Sequence, residues 1–338
     1  MSRGPAALAW RRLRGNRVAL AAAVLFALIV AFCLAAPLWS SGVAGTGPNE
    51  PHTVEKIVVD GQEREVVSPD GTPIGPVWLG ASGKFFLGAD GRLGRDEMVR
   101  LMYGGRTSLI VGLSAALLAT LLAVAAALLA GYYRGKVDAA IARGLDLAWS
   151  FPVLLLGIAL GSALAVGGLK LGPVEIESGS LLLPILIIGL AYTPYVARPL
   201  RGEVLALREQ EFVEAAVSQG TGPARLMLRE LLPNLWSTIV VFFTLVAAQS
   251  LLLEAALSFV GIGVQAPDPS WGAMISSGFA LIYTSPLLTV LPGLMILLTV
   301  LSLNVLGDAL RDALDPRSQA QLEIHTGSYE PELEVAAP

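Results

Sequence analysis

The stretch RPLRGEVLALREQEFVEAAVSQGTGPARLMLRELLP, residues 198–233, decides how the rest of the chain is read. Apolar runs flank it on both sides, roughly Leu181 to Val196 and Trp236 to Leu257. The stretch itself carries ten charged residues, too many for hydrocarbon, where each ionised side chain is costly. It is nevertheless helical in content. No proline interrupts Glu203 to Gln219, and good helix formers dominate there. Glu211, Glu214 and Ser218 fall on one helical face, while Phe212, Ala215 and Ala216 fall on another. Gly220 suits the left-handed position that ends a helix, and Gly222-Pro223 suits the start of a new one. Leu226 to Leu232 runs on to Pro233, after which Asn234 can cap the next apolar helix. The expected element is a short surface helix, a glycine corner and a second short helix. On these residues alone, the plainer reading is an interfacial hairpin held by lipid headgroups.

Composition places this element at a membrane. Of 338 residues, 54% are hydrophobic and only 15% charged, with a mean hydropathy of +0.66. Soluble domains carry about 25% charged residues, so much of this surface faces something other than water. A net charge of −4 excludes a basic nucleic-acid binder. Cys33 is the single cysteine and His52 and His325 the two histidines, which excludes disulfide scaffolds and His/Cys zinc sites. High hydrophobicity excludes intrinsic disorder.

A spanning helix needs about 20 apolar residues. Six runs qualify: Val18 to Leu38, Ser108 to Ala130, Leu145 to Val166, Leu181 to Val196, Trp236 to Leu257 and Ser285 to Leu306. They are continuously apolar rather than alternating, so they read as helices and not barrel strands. The first follows Arg11, Arg12, Arg14 and Arg17 but exceeds the usual signal-peptide core, and is read as an uncleaved anchor. With the N-terminus inside, cytoplasmic segments hold 15 of the 23 Lys and Arg residues. The expected organisation is therefore a cytoplasmic 1–17, a first span at 18–38, an extracytoplasmic loop at 39–107, a core at 108–306 containing 198–233, and a cytoplasmic tail at 307–338. In the loop, Thr53 to Val59 and Gln62 to Val67 flank Asp60-Gly61, with a second turn at Ser68-Pro69-Asp70-Gly71. A small β-meander is expected there, either shielding helix ends or docking a partner.

Catalytic motifs fail on inspection. Gly80-Ala81-Ser82-Gly83-Lys84-Phe85 lacks the first glycine and the Ser/Thr of a phosphate loop. Gly261-Ile262-Gly263-Val264-Gln265-Ala266 fits G-x-G-x-x-A, but follows a membrane helix rather than a strand. No catalytic triad, metal motif or bound cofactor is expected, and the chain does not read as an enzyme. Gly157-x-x-x-Gly161 permits close helix crossing. Gln249, Glu254 and Asn304 are the polar residues in or near spans, candidates for a substrate pathway or a structural network. Trp271 suits the headgroup level of an interfacial loop at Gly261 to Trp271.

Glu214-Ala215-Ala216, Gly220 and Leu232-Pro233, in that spacing, resemble the EAA signature of binding-protein-dependent ABC importer permeases, with Glu230 in a slot that usually holds isoleucine. Leu87-Gly88-Ala89-Asp90, Gly94-Arg95-Asp96 and Arg100-Leu101-Met102-Tyr103-Gly104-Gly105-Arg106 resemble the C-type permease of the dipeptide/oligopeptide/nickel group. Ala89 and Val99 replace its usual threonine and serine. Gly131-Tyr132-Tyr133 with Asp138, Ser150-Phe151-Pro152, Leu257-Ser258-Phe259 to Pro269-Ser270-Trp271-Gly272, and Gly307-Asp308 to Asp315-Pro316-Arg317 look like the same group.

The resemblance implies an all-α polytopic protein of type I ABC importer permease fold, in the inner membrane with both termini cytoplasmic. It implies that Glu214, Ala215, Ala216, Gly220, Leu232 and Pro233 couple to an ATPase. The implied partners are a second permease, two ATP-binding subunits holding ATP and Mg, an extracytoplasmic binding protein and membrane lipid, with no nucleic acid. Asp90, Arg95, Asp96 and Trp271 are then candidate contacts for the extracytoplasmic partner. Di- or oligopeptides are the implied substrate, with nickel or another small solute as the alternative. A secondary transporter would show internal repeats and midplane charges, which are not evident, and a membrane scaffold has no need of the cornered element.

Overall fold

The computed structural model describes residues 14–59, 61–77, 83–91, 93–165, 169–171, 174–176 and 179–314. Asp60, Gly80 to Ser82, the arginines before Arg14 and the tail from Asp315 lie outside the described residues. The helices are α1 (Arg17–Leu34), α2 (Glu97–Tyr133), α3 (Gly135–Ser150), α4 (Val153–Ala165), α5 (Leu182–Arg208), α6 (Glu211–Ser218), α7 (Pro223–Leu226), α8 (Trp236–Phe259), α9 (Trp271–Phe279) and α10 (Leu287–Leu314). A π turn, Met227–Leu231, and a last turn, Leu232–Asn234, carry α7 to the foot of α8. Among the described residues, α1, α2, α5, α8 and α10 are each long and apolar enough to cross a membrane, and α3 with α4, bent by 81°, is so only when the two are taken together.

Several spans begin or end away from the apolar runs. Asn16 sets the start of α1, its Oδ1 accepting the amides of Val18 and Ala19. The second helix starts at Glu97 rather than near Ser108 and runs for 37 residues, about 55 Å. The third run was expected to cross as one helix from Leu145, but the chain bends at Phe151-Pro152. Phe151 is extended (ψ 127°), the conformation a following proline favours, so Leu145 to Ser150 belongs to α3. The fourth run does not stop at Val196. Val196, Ala197, Leu200 and Val204 are fully buried at helical spacing, and this stripe carries α5 through Pro199 into the charged segment as far as Arg208.

The loop after α1 folds around Val66, Val77, Phe85 and Ala89. Strands β1 (Lys56–Val59) and β2 (Gln62–Glu65) pair antiparallel, Lys56 opposite Glu65 and Val59 opposite Gln62. Among the described residues, a third strand does not follow as a meander requires. Only a single bridge, Val67 to Pro73, closes the Ser68–Gly71 turn, because Pro73 and Pro76 have no amide to donate. A second hairpin, β3 (Leu169–Leu171) with β4 (Val174–Ile176), joins α4 to α5 and had no clear sequence signal.

Helix α2 forms the centre of the bundle. Its Ala115, Ala116, Ala119, Ala123 and Ala130 are fully buried, and α5 packs along it more extensively than any other helix. Near the insert end, Gly105 faces α1 and α9. A Cβ there would lie 2.3 Å from Cys33 Sγ and 2.6 Å from Trp271 Cζ2. Gly105→Ala should therefore cost about 1–3 kcal/mol through overpacking. Thermal unfolding of the purified protein checks this, with Cys33→Ala expected to recover part of the loss.

Candidate functional site

The segment after α5 forms a compact hairpin on a rigid stem. Glu209 and Gln210 close the end of α5, and α6 begins with Glu211 and Glu214 in its first turn, where the helix dipole favours negative charge. Its last turn closes as a Schellman motif. The amide of Thr221 donates to Ala216 O (3.1 Å) and that of Gly220 to Val217 O (2.9 Å), with Gly220 at φ +79°. Gly222 is extended and Pro223 opens α7. Val213, Leu226, Leu231 and Leu235 are buried and fix the hairpin to the core beside Val204.

The outer face of this hairpin is free. Glu211, Phe212, Glu214, Ala215 and Val217 are exposed, and no other part of the described chain covers them. Ala216 points partly inward with Val213, so it does not share the face of Phe212 and Ala215 as helical spacing suggested. Gly220 and Pro233 are exposed and Leu232 half-buried at the base. Asn234 does not cap α8, because the backbone stays helical through the π turn. Its Nδ2 instead donates to Glu230 O (2.6 Å).

At the opposite end, the residues expected to meet a partner are occupied internally. Arg95 Nε donates to Asp90 Oδ2 (2.6 Å), while Asp90 Oδ1 accepts the amides of Leu93 and Arg95. Asp96 caps α2 through the Val99 amide (2.9 Å) and also accepts the Phe85 amide (2.5 Å). Burial raises its carboxyl above the usual range, against the pull of those amides. Trp271 is fully buried inside the protein rather than exposed on an interfacial loop. Its Nε1 donates to Leu101 O (3.0 Å), in a slot left open by Gly104 and Gly105. Asp90, Arg95 and Asp96 therefore brace the insert against the start of α2, Trp271 joins α9 to α2, and their buried side chains offer no surface to a partner.

The comparisons agree with this architecture. The family described as binding-protein-dependent transport system inner membrane component matches residues 119–319, which contain the whole hairpin. The N-terminal TM domain of oligopeptide transport permease C matches residues 4–57. The chain belongs to this family of ABC importer permeases.

Among its relatives, a dipeptide transport system permease of Alkalihalophilus pseudofirmus is 33% identical over 313 residues, 92% of this chain and 90% of that one. A di/tripeptide permease of Pseudomonas aeruginosa is 35% identical over 309 residues, 91% of each chain. A glutathione permease of Pectobacterium atrosepticum is 37% identical over 238 residues, 70% of this chain and 74% of that one. A chain of a methionine ABC transporter, solved in inward-facing conformations, superposes with a TM-score of 0.52 at 17% identity, covering 64% of this chain and 97% of that one. It supports the type I importer permease fold.

The permease carries further polar groups that the sequence only partly exposed. Arg100 was not singled out, yet its Nη1 donates to Pro48 O (2.8 Å), Asn49 Oδ1 (3.3 Å) and Pro267 O (3.4 Å). Asn49 in turn donates to Asp268 Oδ1 (3.0 Å), so the loops after α1 and α8 are tied over the start of α2. Glu254 is fully buried. Ser258 donates to its Oε1 (2.7 Å) and the hydroxyls of Ser108 and Ser270 lie close by, while Oε2 has no hydrogen-bond partner among the described residues.

Gln249 and Asn304 do not join that cluster. Gln249 is exposed about 140° around α8 from Glu254, and Asn304 is half-buried on α10. A groove of about 510 Å³ between α1, α2, α8 and α10 is lined by Phe26, Leu117, Phe243 and Leu303 with little polar surface. No three of His, Cys, Asp and Glu gather in metal-binding geometry among the described residues.

At the hairpin end, Arg134 pairs with Glu209 (2.7 Å), Asp138 with Arg201 (2.5 Å) and Asp146 with Arg198 (2.8 Å). The Arg134 and Arg198 pairs are exposed and contribute about 0–1 kcal/mol each, whereas the Asp138–Arg201 pair is half-buried and bidentate.

Asp96→Ala should cost about 1–3 kcal/mol, from a lost cap and an orphaned Phe85 amide. Limited proteolysis checks it, with cleavage within 39–95 expected to accelerate while α2 stays intact.

Proposed function

We propose that this permease is one of two pore-forming subunits of an ATP-driven importer of short peptides, and that the Glu211–Pro233 hairpin receives mechanical work from a cytoplasmic ATPase. The observation that carries this reading is an exposed, uncovered helix on a rigid stem. Val213 and Leu226 lock the hairpin to the core, while Glu211, Phe212, Glu214, Ala215 and Val217 face outward. A knob with a closed Schellman corner transmits a push instead of yielding to it. The small side chain of Ala215 permits close approach by a partner groove, and Ala216, turned partly inward, keeps α6 close to the core.

The hairpin side carries most of the basic residues, 15 of 23 when 1–17, 131–144, 197–235 and the tail are counted together. That bias puts this end, with both termini, in the cytosol and the 39–107 insert outside. The second permease, two ATP-binding subunits and an extracytoplasmic binding protein complete the assembly. ATP and Mg belong to the ATP-binding subunits, and this chain needs no cofactor of its own. Closure of the ATPases pushes α6, tilts α5 and shifts α8, alternating access to a path between the two permeases. Peptides are favoured over nickel or other small solutes because the relatives named above are dipeptide, di/tripeptide and glutathione permeases. The mostly apolar groove walls supply little chemical selectivity, so discrimination falls to the binding protein.

Gly220→Val forces a β-branched residue into the left-handed region, at a cost of about 1–2 kcal/mol, and reshapes the corner without touching the spans. Uptake of a labelled dipeptide should be lost with the subunit still inserted at normal abundance. Glu214→Lys should release the ATPase subunits on purification. Wild-type uptake in the Gly220→Val variant would refute the assignment.

A further inference from the structure

Helix α3 has no fully buried residue; its half-buried Leu145 packs against the core, so apolar packing holds it only lightly. It is tied to the stem by three ion pairs in opposite chain order: Arg134 to Glu209, Asp138 to Arg201 and Asp146 to Arg198. From Arg134 to Asp146 is about 18 Å of helix, and from Glu209 back to Arg198 about 16 Å, so the two helices run alongside each other. Arg198 also sits over the Trp149 ring, 5.0 Å from its centroid. The stem in question is the final stretch of α5, directly before α6. At the other end of α3 the chain turns by 81° into α4.

Helix α4 reaches the far side of the molecule through two glycines. A Cβ at Gly157 would lie 2.7 Å from Leu257 Cδ2, and one at Gly161 2.5 Å from Ile262 Cγ2. The close-crossing pair read from sequence therefore seats α4 against the end of α8 and the loop that follows it. A continuous route results, from α6 through the stem and the ion pairs to α3, then around the elbow to α4 and the outer loop.

We infer that Asp138, Asp146 and Arg134, with their partners Arg201, Arg198 and Glu209, are positioning residues for transport. They make α3 follow the stem, so that movement of the coupling hairpin rotates α4 beneath the outer 257–263 loop. The inference rests on the coupling role of the hairpin. Two exposed pairs flank the half-buried, bidentate Asp138–Arg201 pair; together they fix register between the two helices, and the exposed ones contribute little to global stability.

The test uses the complete transporter in proteoliposomes, with substrate-loaded binding protein, measuring peptide uptake and ATP hydrolysis together. Asp138→Arg and Arg201→Asp should each lower uptake per ATP hydrolysed by about tenfold, while the ATPase subunits remain bound and hydrolysis continues. The double reversal should restore most of that ratio. Asp138→Asn and Asp146→Asn should give the same loss in smaller degree, and they carry the test should a reversal fail to insert.

Unchanged uptake per ATP in the inserted variants overturns the proposal. So does a parallel fall in hydrolysis and uptake that the double reversal does not repair. Failure of the coupling reading is distinct, because there the wild-type chain would not retain ATPase subunits at all.

Discussion

The contact between α2 and α5 underlies the rest of the structure. The two helices approach closely because α2 presents fully buried alanines along its length, and because Gly131 and Gly189 leave no room for a side chain at the crossing. A Cβ at Gly131 would lie 2.5 Å from Val204 Cγ1, and one at Gly189 2.7 Å from Leu118 Cδ2. In lipid, helix association draws on such packing rather than on a hydrophobic driving force. The same contact continues beyond the apolar run, through Leu200 and Val204, and makes the charged end of α5 a firm stem. A coupling hairpin on a loose stem could not move the bundle. On this one, a displacement of α6 becomes a displacement of α5.

The two ends of the permease are built on different principles. At the insert end, buried charges satisfy backbone amides and one another, and Arg100 ties together loops far apart in the chain. That end is a lid fixed to a long helix. At the hairpin end, ion pairs near the surface and the half-buried Leu145 hold α3, which has no fully buried residue. The bent α3–α4 pair runs from the hairpin stem to the 257–263 loop.

Much of this was legible in the sequence, and the failures have physical causes. The corner at Gly220 and the restart at Gly222-Pro223 were readable because each demands a backbone conformation that few residues adopt. Proline before an apolar run was visible at Phe151-Pro152, but hydrophobicity alone made Leu145 to Val166 look continuous, and the bend lies where hydropathy carries no information. The extension of α5 to Arg208 was hidden because charged side chains masked the buried stripe of Leu200 and Val204. Asp90, Arg95 and Asp96 read as surface residues since loop charges are usually solvated; Arg95 pairs with Asp90, and the two carboxylates accept backbone amides, which no sequence pattern displays. The partners of Arg100 and Trp271 lie up to 170 residues away and could not be paired from one sequence.

The most direct test is the sidedness of the hairpin. Val217, 54% exposed on α6, can be replaced by cysteine in a Cys33→Ala background and treated with a membrane-impermeant maleimide in sealed vesicles of each orientation. Labelling is expected only in inside-out vesicles, and bound ATPase subunits should block it. Labelling in right-side-out vesicles would put the hairpin outside and contradict a coupling role.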